Sequence, residues 1–213
     1  MIKNIKFFIF TLSLTPLARL LWLGLTDGMG ANPVEFVIRS LGTWTLVLLL
    51  VTLAMTPLRL LIHQSWPLQM RRMLGLFAFF YASLHLLSYA GLDQWFDWSA
   101  IAKDIVKHPF VLVGFSAFLL LIPLAITSSN AMIKKLGRHW KTLHRIIYLI
   151  AVLGVVHFWW LVKRDIREPA IYAVVLMIIF GIRIAHKCWV GAVVHSVPGA
   201  AVYPNKDVIN TNL

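Results

Sequence analysis

Six apolar stretches divide the chain, and each approaches the roughly 20 residues that a helix needs to cross a bilayer. Inside a bilayer every backbone N–H and C=O group must be paired within the protein, so such segments cross the membrane as α-helices. Charged residues make up only 13% of the 213 residues, whereas about a quarter are charged in soluble domains. The sequence therefore predicts an all-α, polytopic membrane protein, a six-transmembrane-helix bundle. Its spans run approximately over Ile5–Leu25, Leu41–Ile62, Met73–Gly91, Phe110–Thr127, Leu143–Val162 and Ala170–His186.

Lysine and arginine are shared unequally between the loops on the two sides. If the N-terminus is cytoplasmic, the same side carries Arg71, Arg72 and the basic segment Lys134–Lys141, and most acidic residues fall on the other side. The positive-inside rule then predicts that both termini are cytoplasmic. The formal net charge of +12 follows from these flanking residues and does not indicate nucleic acid as a partner. The first span, which follows Lys3 and Lys6, is predicted to be an uncleaved signal anchor.

The outer loop Leu92–Pro109 alternates aromatic and aliphatic residues with charged ones. Trp95, Trp98 and Val106 are interspersed with residues such as Lys103. This pattern predicts a short amphipathic helix at the membrane interface. Two interpretations remain open: an aromatic anchor in the lipid headgroups, or a docking surface for a partner outside the membrane.

Three histidines lie within the spans: His85, His144 and His157. Ionisable residues in a membrane are costly and mark functional sites by default. At 1.5 Å per residue, His85 lies roughly 18 Å and His157 roughly 21 Å from the inner ends of their spans, and His144 lies at the inner edge. Two imidazoles at one level on different helices can ligate a haem iron from both sides. The alternative is that each histidine hydrogen-bonds a neighbouring helix. The only cysteine is Cys188, so a haem would be held without covalent attachment.

The inner ends of the third and fifth spans predict a different kind of site. His144 is rotated by about 220° from His157 on an ideal helix, so the two do not share a face. The position fourteen residues before His85 is Arg71, followed by Arg72. Arginine does not ligate iron but suits a phosphate or a propionate. We therefore interpret the pair Arg71 and Arg72, with His144 and Arg145 nearby, as a candidate site for a flavin or a quinone; the alternative is a cluster that serves only the positive-inside rule.

Three further residues are candidates with open interpretations. His63 and His139 lie near the inner boundary, where they could assist His144 or be solvated. Arg19 lies within the first span, and it either pairs with a haem propionate or extends its side chain to the interface. No internal repeat is found in the sequence.

The chain resembles a known family at several separate stretches. These are MTPLRL (55–60), RRMLGLFAFFYASLHLLSYA (71–90), KHPFVLVG (107–114), LAITSSNAM (124–132), KLGRHWKTLHRIIYL (135–149) and VVHFWWLVK (155–163). Together with the six-span layout they resemble the ferric reductase-like transmembrane domain and, more closely, the MsrQ (YedZ) family, haem-binding membrane subunits of a bacterial system that repairs methionine sulfoxide in periplasmic proteins. The resemblance covers nearly all of residues 1–190 and leaves 191–213 as a short cytoplasmic tail.

The resemblance implies a multi-pass protein of the bacterial inner membrane that passes electrons through haem b. The implied acceptor is a periplasmic molybdopterin-containing methionine sulfoxide reductase, and the implied donor is the quinol pool or a cytoplasmic flavin reductase. FMN is an implied second cofactor, and a quinone is a further candidate. Carried over by motif, His85 and His157 are the haem-linked histidines, and His144 is a possible alternative ligand or second site. Arg71 departs from the wider family, which has an inner histidine there.

Two other functions remain open from the sequence. One is a stand-alone transmembrane reductase of ferric iron or oxygen, which would be an enzyme without a protein partner. The other is a cofactor-free transporter or assembly factor, although the spans lack buried carboxylates and the paired, broken helices common in transporter sites. Whether the chain is itself an enzyme stays undecided.

Overall fold

The computed structural model describes residues 2–162 and 165–196, with side chains described as far as Val190. Within these residues the chain forms nine α-helices and no strand. They are α1 (Ile2–Leu25), α2 (Pro33–Ile62), α3 (Trp66–Ser88), α4 (Trp98–Lys107), α5 (Pro109–Ile126), α6 (Asn130–Leu136), α7 (Arg138–His144), α8 (Ile146–Leu161) and α9 (Arg167–Ser196). A π-helical turn, Tyr89–Asp93, extends α3. Residues 197–213 of the predicted tail lie outside the described residues.

Six helical segments in the described ranges are long and apolar enough to cross a membrane. They are α1, α2, α3 with its π-helical turn, α5, α7 together with α8, and α9. The prediction of an all-α, six-span bundle is confirmed. The cytoplasmic placement of both termini stays a prediction that rests on the distribution of charge.

Several helices begin before the apolar stretches that predicted them. α2 starts at Pro33 rather than at Leu41, because the Asn32 side chain caps the helix by accepting a hydrogen bond from the Glu35 N–H at 3.2 Å. α3 starts at Trp66 rather than at Met73. Hydropathy marks only the apolar part of a helix, whereas an N-capping residue and a proline in the first turn mark where the helix begins. The predicted apolar stretches of these two spans therefore lie within longer helices.

The bundle is built from two closely packed helix pairs. α2 packs along α3, and α5 packs along α8; α3 and α5 join the pairs on one side, and α2 and α8 on the other. α3 and α8 are thus diagonal neighbours across the bundle axis. α1 packs mainly against α3, and α9 packs against α2 and α8. Side chains with no exposed surface, including Leu53, Met70 and Tyr81, fill the core between them.

Tyr81 of α3 joins α1 at a point where a proline disturbs that helix. Its hydroxyl accepts a hydrogen bond from the Leu17 N–H at 3.2 Å and donates one to the Ser13 C=O at 2.8 Å. An uninterrupted helix pairs those two backbone groups directly, and Pro16 lies between them. Proline commonly opens a helix in this way. In lipid, both groups need a partner, and Tyr81 supplies it.

We expect Tyr81→Phe to lower the free energy of unfolding by about 1–3 kcal/mol, because it leaves buried polar groups without their partner. Unfolding in mixed micelles with increasing denaturing detergent measures this change. Tyr172→Phe is the matched control, since the Tyr172 hydroxyl makes no side-chain hydrogen bond among the described residues. An equal loss of stability in both variants would contradict the bridging role of Tyr81.

The predicted amphipathic segment of the outer loop is the helix α4. Asp97 caps it by accepting hydrogen bonds from the Ser99 and Ala100 N–H groups. No residue of α4 is buried, and Trp98 is 69% exposed. Asp104 ties the helix to the bundle, since its carboxylate accepts a hydrogen bond from the Tyr89 hydroxyl and contacts His108 Nδ1 at 2.6 Å. Whether α4 is a lipid anchor or a docking surface stays a prediction.

Candidate cofactor sites

His85 of α3 and His157 of α8 face each other across the bundle. The centroids of their imidazole rings are 6.2 Å apart, and the ring planes are inclined by 78°. Each histidine lies within one turn of the end of its helix, on the side of the bundle that carries α4. The depth estimate from the sequence placed these two residues at one level, and the structure brings them together.

Both imidazoles are fixed through the same ring atom. His85 Nδ1 lies 2.9 Å from the Ile38 carbonyl oxygen of α2, and His157 Nδ1 lies 2.6 Å from the Phe110 carbonyl oxygen of α5. A carbonyl oxygen only accepts hydrogen bonds, so Nδ1 carries the proton and donates it. The lone pair of each neutral ring is then on Nε2. This is the arrangement in which a protein orients a histidine that ligates a metal.

Each of these hydrogen bonds is made possible by a glycine one turn further along the accepting helix. A Cβ atom on Gly42 would lie 3.1 Å from His85 Cε1, and a Cβ atom on Gly114 would lie 2.6 Å from both Cε1 and Nδ1 of His157. A side chain at position i+4 of a helix stands beside the carbonyl of residue i. Glycine therefore leaves the space in which the imidazole reaches that carbonyl.

The two helix pairs repeat this geometry with the same spacing. In both, the histidine follows its carbonyl partner by 47 residues and the glycine follows that partner by four. The pair α2–α3 and the pair α5–α8 thus present one imidazole each to the bundle axis. This repeat is not evident in the sequence, because few other residues recur at equivalent positions of the two helix pairs.

The separation of the two rings fits haem ligation. An imidazole nitrogen lies about 2 Å from a transition metal that it ligates, and about 1.1 Å from the centre of its own ring. Two imidazoles on opposite sides of one iron therefore have ring centroids about 6 Å apart, close to the 6.2 Å between His85 and His157. Among the described residues no group of three or more His, Cys, Asp or Glu side chains forms a metal site of another type.

A separate cavity of about 320 Å³ lies toward the opposite end of the bundle. Its basic side chains come from α3, from α7 and from the residue that follows α7, and no acidic residue lines it. They are Arg71, Arg72, Lys141, His144 and Arg145. The volume is in the range of small-molecule sites. The structure thus collects the predicted inner residues around one space that favours an anionic occupant.

His144 belongs to this inner cavity, and a hydrogen bond engages one of its two ring nitrogens. Its Nε2 lies 3.0 Å from the Thr127 hydroxyl oxygen, and that hydroxyl donates its single proton to the Pro123 carbonyl at 2.6 Å. The hydroxyl therefore accepts from His144, so Nε2 carries the proton. The ring also stacks on Trp140, with centroids 4.0 Å apart. These contacts orient His144 within the inner cavity.

The helix is interrupted immediately after His144. α7 ends at His144, and α8 begins at Ile146. Arg145, which lies between the two helices, keeps right-handed helical dihedral angles, with φ −67° and ψ −22°. The rotation of about 220° between His144 and His157, estimated for one ideal helix, therefore stays a prediction.

Arg183 of α9 is a deeply placed cation that the sequence analysis did not single out. It donates hydrogen bonds to the Tyr148 hydroxyl at 2.8 Å and to the Leu53 carbonyl oxygen at 2.6 Å. Leu53 precedes Pro57 by four residues, and proline has no N–H with which to pair that carbonyl. Tyr148 also lines the inner cavity, so Arg183 supports one of its walls. A proline inside a span was the signal that could have pointed to such a partner.

The remaining candidate residues lie apart from both sites. Arg19 is exposed on α1 and makes no side-chain hydrogen bond or ion pair within the described part of the chain. That position agrees with the alternative in which Arg19 extends to the interface, and its pairing with a propionate stays a prediction. His63 and His139 are exposed, and neither lines the inner cavity.

Comparison with known proteins gives a consistent result. Residues 41–155 match the family described as "Ferric reductase like transmembrane component". A relative from Ralstonia nicotianae, named protein-methionine-sulfoxide reductase heme-binding subunit MsrQ, is 48% identical over 204 residues, which are 94% of each chain. Proteins of the same name from Herminiimonas arsenicoxydans and Azospira oryzae are 50% and 51% identical, over 84% and 87% of this chain and 84% and 81% of theirs. No solved structure matches.

Proposed function

The chain belongs to the MsrQ family of ferric reductase-like transmembrane proteins, and on that premise we propose that it is a haem b electron-transfer subunit. It is a multi-pass protein, and the bacterial inner membrane is the membrane that fits its relatives. In this proposal it passes electrons from the cytoplasmic side to a periplasmic molybdopterin-containing methionine sulfoxide reductase. The observation that carries the proposal is the facing pair His85 and His157, with Nε2 of each ring available.

His85 and His157 are the residues that would hold the haem iron. Haem b, when bound, supplies a one-electron carrier whose potential depends on its ligands and surroundings. The Ile38 and Phe110 carbonyls fix the two rings and make them stronger donors to a metal. An iron held by both imidazoles would carry electrons rather than bind oxygen or a ferric substrate, because His85 and His157 would occupy the positions that such a molecule needs.

The position of the histidine pair supports an acceptor on the side of α4. Both residues lie within one turn of that end of α3 and α8. With the termini cytoplasmic, as the charge distribution predicts, this end is periplasmic. A methionine sulfoxide reductase subunit that docks there would have a short path to the pair.

We also propose that the inner cavity receives the electron donor, which is FMN or a quinone. The cavity is lined by Arg71 and Arg145, which suit a phosphate, and by Trp140 and Tyr148, which suit a planar ring. FMN carries both features, whereas a quinone carries only the ring. The donor that reloads this site would be the quinol pool or a cytoplasmic flavin reductase.

We expect Arg71→Gln to weaken the retention of FMN by the purified protein about tenfold or more, the effect of losing a hydrogen bond between charged groups. Equilibrium dialysis against FMN measures the change. Arg138→Gln is the matched control, because Arg138 is an exposed cation near the cavity that does not line it. If both variants bind FMN as the unchanged protein does, the cavity is not the flavin site.

One experiment separates the proposed function from its rivals. The protein, reconstituted in vesicles and chemically reduced, is mixed with a periplasmic methionine sulfoxide reductase subunit and a methionine sulfoxide substrate. Rapid reoxidation of the haem spectrum only when both are present supports the relay. Equally rapid reoxidation by a soluble ferric chelate or oxygen alone would favour a stand-alone reductase. A colourless protein, made with ample haem, would favour a transporter or assembly factor.

A further inference from the structure

An open groove of about 520 Å³ lies between α1 and α3, separate from the histidine pair. Its wall is polar at one end, where Lys6, Gln69 and Arg72 lie, and apolar beyond it. The apolar part consists of Phe10, Leu14, Met73, Leu76, Phe77 and Phe80. α1 and α3 are alternate spans and run in the same direction, so both contribute polar residues at the end where they begin.

We propose that this groove binds an anionic phospholipid. The phosphate lies between Lys6 and Arg72, and an acyl chain runs along the aromatic and leucine side chains toward Phe80. Basic pockets between spans on the cytoplasmic side recur as sites for anionic headgroups. The groove joins such a pocket to an apolar track in which Phe10, Leu76 and Phe80 are exposed on the surface of the bundle.

The charges at the polar end argue for an anionic headgroup. No acidic side chain lines the groove, and among the described residues neither Lys6 nor Arg72 forms an ion pair. Arg72 donates a hydrogen bond to the Asn130 side chain, which holds the guanidinium in place without neutralising it. A zwitterionic lipid would place its own positive charge near Lys6 and Arg72, which repel it. A quinone would leave the charges of both side chains unbalanced.

The apolar end has the length of an acyl segment and not of a compact ring. Lys6, Phe10 and Leu14 follow one another at intervals of four residues and form one stripe along α1. On α3 the apolar lining runs from Met73 to Phe80, which is about 10 Å along the helix, and the whole lining from Gln69 to Phe80 is about 16 Å long. Phe10 packs edge-on against Phe77 with ring centroids 5.2 Å apart, so the floor of the track is formed by both helices.

Lys6 is the residue that tests this site alone. Arg72 and Leu76 also line the inner cavity, so their replacement would disturb both spaces. Lys6 lines only the groove. Lys3 offers a matched control, because it is an exposed cation one turn earlier on the same helix and lies outside the groove. The comparison is independent of haem and of any electron acceptor.

The test is native mass spectrometry of the full chain, released from detergent after incubation with phosphatidylglycerol or with phosphatidylethanolamine of the same acyl composition. We expect the protein to retain one phosphatidylglycerol in preference to phosphatidylethanolamine. Lys6→Gln should lower its apparent affinity about fivefold, the effect of one cation near a headgroup, and Lys3→Gln should leave it unchanged. Leu14→Trp, which fills the track without changing charge, should displace the same lipid.

Three results would overturn the proposal. Equal retention of the two lipids would show that the headgroup charge is not recognised. An equal effect of Lys3→Gln and Lys6→Gln would reduce the preference to the general basicity of this end of the bundle. Displacement of phosphatidylglycerol by a short-chain ubiquinone, with Lys6→Gln binding that quinone normally, would assign the groove to a quinone. These lipid-binding results do not depend on electron transfer, so they would stand even if the proposed haem relay were disproved.

Discussion

Replacing either His85 or His157 with alanine is expected to abolish the low-spin haem b spectrum of the purified protein. The centroids of the two imidazole rings are 6.2 Å apart, and in the described part of the chain no other two histidines face each other across the bundle axis. With one imidazole removed, only one of the two histidines would remain to hold the haem iron. The affinity of the protein for haem would fall accordingly. Oxidised and reduced visible spectra of protein purified in mild detergent, together with the haem-to-protein ratio, measure the effect.

The controls for this result come from histidines outside the pair. His139→Ala should leave the spectrum unchanged, because His139 is exposed at the opposite end of the bundle. His144→Ala should also retain a low-spin haem, since Thr127 holds His144 in the inner cavity. A normal low-spin spectrum in His157→Ala would show that the pair is not the ligand set, and His144 would then be the next candidate.

The helix count and the shared depth of the two histidines could be predicted because they depend on quantities that a sequence states directly. Apolar length reveals a span, and the fixed rise of an α-helix converts residue number into depth. His85 and His157 therefore had to lie at similar depth once their spans were identified. Depth does not state rotation, so the sequence could not say that the two rings face each other.

The residues that hold the rings could not be predicted, because they depend on which helix faces which. Ile38 and Phe110 contribute only backbone oxygens, and their side chains do not indicate that their carbonyls bind a histidine. The recurring spacing of glycine and histidine, Gly42 with His85 and Gly114 with His157, was present in the sequence. It became interpretable only when the two helix pairs were seen to repeat one geometry.

The inner cavity depends on how the ends of several helices meet, which the sequence does not state directly. Basic residues near His144 were visible in the sequence, and their shared cavity follows from the end of α7 and the start of α8. Arg183 lies near the end of the sixth predicted span, and its side chain reaches the Leu53 carbonyl inside the bundle. A long, flexible side chain can extend in either direction, so its position in the chain does not state where its charge lies.

The second large effect is expected from Gly114→Ala, which adds one methyl group beside the histidine pair. The new Cβ would lie 2.6 Å from two atoms of the His157 ring and 3.1 Å from a third, closer than van der Waals contact allows. The ring would have to move away from the Phe110 carbonyl that fixes it. Losing such an orienting contact typically costs 10- to 100-fold in metal affinity, and we expect a loss of about that size in haem affinity, measured by haem titration of apoprotein.

Two glycines in other helices of the bundle separate this effect from a general intolerance of alanine. On Gly42 the added Cβ would lie 3.1 Å from His85 Cε1, so Gly42→Ala should weaken haem binding less than Gly114→Ala. On Gly154, one turn before His157, the Cβ would meet Leu46 at an ordinary 3.5 Å. Gly154→Ala should therefore bind haem normally, since alanine also favours the helix over glycine. If Gly114→Ala bound haem as tightly as Gly154→Ala does, the glycine would not be making room for a ligand, and the carbonyl contact of His157 would not be what orients it.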